Sequence, residues 1–170
     1  IKDAVKGQKK LAIFDMDKTI LQQSFIRTLA ARYEFEDELN EVVATSSSPF
    51  IRIKQIAQLL KGLTVGDMLR TADQIPVVED AYAVIAELKR KGYICGIISE
   101  SYDVTANHIA NKLGLHFSLA NELEFHKSIV TGEIKIPSFF LRDKKSICNH
   151  EYCKTNAVLE LMKRYGIRQK

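Results

Sequence analysis

The chain has 170 residues, with 25 basic and 21 acidic side chains and a net charge of +4. That mild, dispersed excess argues against a nucleic-acid partner and suits a small anion. No apolar run approaches the roughly 20 residues of a membrane span, and the N-terminal IKDAVKGQKK lacks the apolar centre of a signal peptide.

Residues 9–15, KKLAIFD, read as a buried strand entered from two lysines. From Ser24 to Ile75 the apolar residues recur at helical spacing: Phe25, Leu29 and Tyr33, then Ile53, Ile56, Leu59 and Leu60. TSSSP at 45–49 separates two helices, Thr64 with Asp67 has the form of a capping box, and Pro76 closes the block. Residues 78–92 are periodic with a glycine stop, 93–99 form an apolar strand, 102–115 a helix and 116–120 a short strand. Residues 123–136 alternate and predict a hairpin turning at Thr131-Gly132, and 149–165 predict a last helix. The odd number of cysteines (Cys95, Cys148 and Cys153), with Cys95 inside a strand, fits a reduced, cytoplasmic setting.

Strands alternating with helices predict an α/β core with a parallel sheet and helices on its faces. Residues 1–20 and 77–170 form this core, and residues 21–76 a helical cap inserted over the carboxyl edge of the strands, where such sheets bind ligands.

Asp15, Asp17 and Ser99 fall at that edge. Two carboxylates one residue apart leave a strand on the same side. Their repulsion is offset by a shared proton or a cation. A hard divalent ion such as Mg2+, held by carboxylates and phosphate oxygens, answers that need. One carboxylate can then attack phosphorus while the other handles the leaving-group proton; a strand-end Asp pair that merely caps a turn is the plainer alternative. Ser99 ends an apolar strand before a helix, which suits a phosphate cradle or a simple N-cap. Lys154 opens the amphipathic run KTNAVLELM, where the helix dipole disfavours a cation and a facing anion would compensate.

In this order DMDKT, a helical insertion, IISES and a lysine-headed helix resemble the haloacid dehalogenase superfamily of phosphatases, most closely its phosphoserine-phosphatase-like branch. The resemblance implies a three-layer Rossmann-like core with a C1-type helical cap. It implies a Mg2+-dependent phosphomonoester hydrolase acting on a small phosphorylated metabolite through an aspartyl-phosphate. Asp15 would be the nucleophile and Asp17 the acid and base, and the Asp15 carboxylate and the Asp17 backbone carbonyl would bind the metal. Thr19, Ser99, Glu100 and Lys154 would surround the phosphoryl group. A non-catalytic phosphate-binding or regulatory domain, or an inactive fragment of a phosphatase, is the alternative.

The sequence also departs from that pattern. The family's fourth motif, an acidic GDxxxD-like loop, does not follow Lys154, after which Glu160 is the only acid. The strand expected after YGI is also missing, so the first strand is expected at the sheet edge, and the chain reads as a fragment. Ser24 stands where a glutamate holds the substrate amine, and Ile56 where an arginine holds its carboxylate; Arg52 and Lys54 lie nearby. Glu100 and Ser101 replace the usual glycines. Cys148, His150 and Cys153 form a C-x-H-x2-C group, which the sequence treats as ordinary loop residues because only His126, on the hairpin, offers a fourth zinc ligand. Phe139-Phe140 reads as buried packing. Oligomeric state is not legible in the sequence.

Overall fold

The structure, a computed structural model, describes residues 10–144 and 146–167. Lys9, at which the sequence starts the first strand, lies outside the described residues, as do the remaining terminal residues of the expected core. Strand β1 spans Lys10–Phe14, β2 Tyr93–Tyr102, β3 Phe117–His126 and β4 Ile129–Lys135, in the order β1-β2-β3-β4. The first three run parallel, with Leu11 opposite Ile94 and Ile98 opposite Leu119, and β4 returns antiparallel to β3. Among the described residues β1 is therefore an edge strand.

Helices α1 (Phe25–Tyr33), α2 (Glu36–Thr45), α3 (Pro49–Leu59) and α4 (Val65–Gln74) make the inserted block; α5 (Ala81–Arg90), α6 (Asp103–Lys112) and α7 (Lys154–Tyr165) belong to the sheet. The block is entered and left side by side: Gln22 N–H donates to the Pro76 carbonyl and Val78 N–H to the Ile20 carbonyl, both at 2.9 Å. At α4 the capping box forms, with Asp67 N–H on Thr64 Oγ1 at 3.1 Å and Thr64 N–H on Asp67 Oδ2 at 2.8 Å.

Alternation along the strands divides the apolar residues between the two sheet faces. Phe14 and Ile97 pack with Phe25, Leu29 and Met68 of the block, Ile85 of α5 and Ile109 of α6. Leu11, Ile13 and Ile98 instead pack with Phe140, Tyr152, Ala157 and Leu161. Helices thus cover both faces of the sheet, the three-layer arrangement expected. Helix α3 contributes Ala57 to the first cluster and Phe50 and Ile53 to the second, so it lies across the carboxyl edge.

The hairpin differs from the sequence reading. Residues 117–126 do not break into two strands but run as the single β3, and the chain turns at Lys127-Ser128, with left-handed φ of 48° and 66°. Gly132 instead sits within β4, where the side chain of Gln58 crosses it and donates to its carbonyl at 2.9 Å. Gly132 has a left-handed φ of 94°, which favours glycine, and a Cβ there would also meet Gln58 Oε1 at 3.0 Å, so this glycine serves a kink within β4 under α3 rather than the hairpin turn.

Candidate active site

β1 ends at Phe14, and the chain coils so tightly that the N–H groups of Ile20 and Leu21 both donate to the Met16 carbonyl, at 3.1 and 2.9 Å. Met16 is buried beneath this turn, which sets Asp15 and Asp17 at the carboxyl edge. Asp15 Oδ1 accepts the N–H of Met16 at 2.8 Å and lies 2.9 Å from Lys154 Nζ. Asp17 Oδ1 accepts the N–H of Phe25, the first residue of α1. Burial raises the Asp17 carboxyl above its ordinary range; the Phe25 N–H opposes this, while the neighbouring Asp15 charge adds to it.

Ser99 is 1% exposed, and its Oγ accepts the N–H of Ser101 at 3.1 Å, leaving its own proton to donate. The strand continues past Ser99 to Tyr102, further than the sequence reading takes it, and this extension brings Ser101 and Tyr102 to the site. The buried Asn121 holds it there, donating through Nδ2 to the Glu100 carbonyl at 2.7 Å and lying 3.4 Å from the Tyr152 hydroxyl. Lys154 follows close behind as the first residue of α7, whose N-cap Cys153 makes no side-chain capping bond. The cation at this unfavourable helix end is offset by Asp15.

These groups line one cavity of about 390 Å³. Its floor is Asp15, Asp17 and the Ser99–Tyr102 segment, its side is Lys154, and its roof is Ser24 and Ile26 of the α1 entrance with Arg52, Ile53 and Ile56 of α3. Of the residues singled out from sequence, Asp15, Asp17, Ser24, Arg52, Ile56, Ser99, Glu100 and Lys154 meet here. Thr19 does not: it is exposed in the turn after Asp17 and is not among the lining residues. Ile26, Ile53 and Tyr102 were not singled out. Tyr102 carries the one available signal, an aromatic continuing an apolar strand, and burial pushes its hydroxyl up strongly. Two side-chain atoms around the cavity, Arg52 Nε and Ser101 Oγ, are buried without a hydrogen-bond partner.

A model of the haloacid dehalogenase-like hydrolases matches residues 12–158, a span that includes both aspartates, Ser99 and Lys154. The chain belongs to the haloacid dehalogenase-like hydrolase family. Within that family it is 29% identical to the phosphoserine phosphatase of Methanocaldococcus jannaschii over 77% of this chain and 64% of the relative. It is 30% identical to the phosphoserine phosphatase of Archaeoglobus fulgidus over 75% of this chain and 38% of the relative. The chain therefore spans less than two thirds of the length of either relative. Among solved structures, a phospho-aspartyl intermediate analogue of phosphoserine phosphatase superposes with a TM-score of 0.75 at 25% identity, over 95% of this chain and 74% of that one. The fold is the open, mostly parallel α/β fold of these haloacid dehalogenase-like phosphatases.

No helix among the described residues is long and apolar enough to cross a membrane.

Proposed function

We propose that this chain carries the phosphoryl-transfer site of a Mg2+-dependent phosphomonoesterase acting on a small phosphorylated metabolite. The observation that carries the reading is the meeting of Asp15, Asp17, Ser99 and Lys154 in one cavity, with Lys154 Nζ 2.9 Å from Asp15 Oδ1. Arg52 Nε and Ser101 Oγ support it, because buried polar atoms without partners are costly unless a ligand satisfies them. Both belong to donor groups, as an anionic ligand requires. In the relatives named as phosphoserine phosphatases the corresponding reaction is hydrolysis of a phosphate monoester.

The donor set fits magnesium. The contacts described for the Asp15 carboxylate fall on Oδ1, so its Oδ2 is a second, hard oxygen for the ion, and the Asp17 backbone carbonyl would join it, leaving the Asp17 carboxyl for proton transfer. A bound cation would also relieve the like-charge repulsion that helps raise Asp17. When bound, the metal supplies positive charge to the transferring phosphoryl group.

The chain's own residues do the rest. Asp15, paired with Lys154, attacks phosphorus and forms an aspartyl-phosphate. Asp17, raised by burial, keeps its proton to higher pH and gives it to the leaving oxygen; the carboxylate left behind then takes a proton from the attacking water. Ser99 and Lys154 hold the phosphoryl oxygens as charge shifts among them. The α1 entrance and α3 form the roof of the cavity, which favours a small substrate, and we assign residues 21–76 the role of a cap.

Hydrolysis of p-nitrophenyl phosphate with Mg2+ tests the reading. Turnover should fall to background in Asp15→Asn. An Asp15→Asn protein with near-normal turnover would refute it, and phosphate binding without turnover in the unsubstituted protein would favour a regulatory phosphate-binding domain.

A further inference from the structure

We propose that Cys148, His150 and Cys153 form a second metal site, of opposite chemical character to the aspartate pair, that binds a thiophilic divalent cation, with zinc preferred. The C-x-H-x2-C spacing hints at zinc but does not by itself bring the three ligand atoms together. The structure does: one ligand atom from each lies within 4.8 Å of the other two. Among the described residues this is the one such grouping of three histidine, cysteine or acidic side chains.

Two thiolates and an imidazole are a zinc donor set, and tetrahedral coordination with bonds of 2.0–2.3 Å places ligand atoms about 3.5–3.8 Å apart. The cluster therefore has to close by at most about 1 Å. The backbone permits this at one end and fixes it at the other. Cys153 N–H donates to the Phe140 carbonyl at 2.9 Å, and Arg142 N–H donates to the Glu151 carbonyl at 3.0 Å, so the Cys153 end is anchored to the core. Cys148 and His150 lie on the bend before it, outside any helix or strand. His150 is exposed and both cysteines are half-buried, so an ion can enter from solvent. Each thiol gives up its proton to solvent as its sulfur ligates, and the dication with two thiolates is then neutral. A water molecule completes the fourth position, as at zinc sites with three protein ligands.

Ligand softness keeps the two sites apart: oxygen donors suit magnesium, and thiolates select zinc over it. The second site adjoins the first in sequence, because Cys153 is the N-cap of α7 and Lys154 its first residue. An ion here ties the bend to the start of the helix that presents Lys154 to Asp15.

The test is titration of the reduced, metal-free protein with Co2+ and then Zn2+, read by the sulfur-to-cobalt charge-transfer absorption and by its displacement. One equivalent of Co2+ should produce the band, and Zn2+ should abolish it. Cys148→Ser and Cys153→Ser should each weaken binding at least ten-fold, with unchanged far-ultraviolet circular dichroism in the absence of metal. His150→Ala should also weaken it, while Asp15→Asn should leave it intact. Absence of the band, its persistence in Cys148→Ser, or its loss in Asp15→Asn would overturn the proposal. The readout does not use phosphatase activity, so its failure leaves the reading of the aspartate site untouched.

Discussion

The Asp17 carboxylate accepts the backbone N–H of Phe25, so the acid beside the site also caps the first helix of the inserted block. One side chain thus ties the floor of the cavity to its roof. Helix N-termini favour an anion, whereas burial and Asp15 disfavour the charge on Asp17.

The net of these effects is a raised carboxyl, and its consequence for stability has a definite sign. The folded state holds the Asp17 proton more tightly than the unfolded chain does. Stability is therefore lost as pH rises from the ordinary carboxyl value of 3.8 through the raised folded value. Asp17→Asn keeps an oxygen to accept from Phe25 and removes the charge. It should raise the Tm at neutral pH, and the gain should vanish below the ordinary carboxylate range. A Tm that falls at neutral pH but not below the carboxylate range would mean that the ionised acid is needed as a cap.

Lys154 should act on the phosphoryl group rather than on the fold. Its charge opposes the α7 dipole, so Lys154→Met should leave the Tm near that of the parent protein. Loss of a charged donor in such a site lowers kcat by about 10²–10³-fold. Parallel melting curves and phosphatase assays separate the two effects, and a large drop in Tm with little kinetic change would reverse the assignment.

Substrate preference should differ from that of the named relatives. Ser24 and Ile56 line the cavity without a charge to grip an amine or a carboxylate. Each missing charge-assisted contact is worth about 1.5–3 kcal/mol. Phosphoserine should therefore show a kcat/KM no higher than generic phosphomonoesters in a substrate screen. Phosphoserine clearly leading that screen would show that other groups, Arg52 foremost, have taken over the recognition.

The sheet has one point of very close approach. A Cβ on Gly96 would lie only 2.4 Å from carbons of the Phe117 ring on the neighbouring strand, a ring that also packs 6.1 Å from Tyr165. Gly96→Ala should destabilise by about 1–3 kcal/mol, the range for overpacked cores, as measured by urea denaturation. No measurable change would show that the ring swings aside freely.

The parts of this molecule legible in sequence are those whose cause is local. An apolar run meeting two aspartates marked the end of β1, and Thr64 with Asp67 marked a capping box that forms as read. The misplaced turn has a tertiary cause. Thr131-Gly132 looks like a turn, yet Gly132 makes a left-handed kink inside β4 beneath Gln58 of α3, while Lys127 and Ser128 take the left-handed conformations of the turn without a glycine. The extension of β2 past Ser99 is equally non-local, because it rests on Asn121 reaching from β3 to the Glu100 carbonyl. For the site, residue types and order brought the aspartates, Ser99 and Lys154 into view. Thr19, placed beside the phosphate by resemblance alone, instead faces solvent. The proximity of Cys148, His150 and Cys153 depends on how a bend without regular structure folds, which no periodicity encodes.

The central claim is that Asp15 attacks phosphorus. It is tested most directly by acid-quenching the Mg2+-loaded protein during turnover of p-nitrophenyl phosphate and locating the phosphoryl group by peptide mass spectrometry. The account predicts one phosphoryl group, labile to hydroxylamine, on the peptide that contains Asp15, and none in Asp15→Asn. A phosphoryl group on any other residue, or sustained turnover by Asp15→Asn, would contradict it.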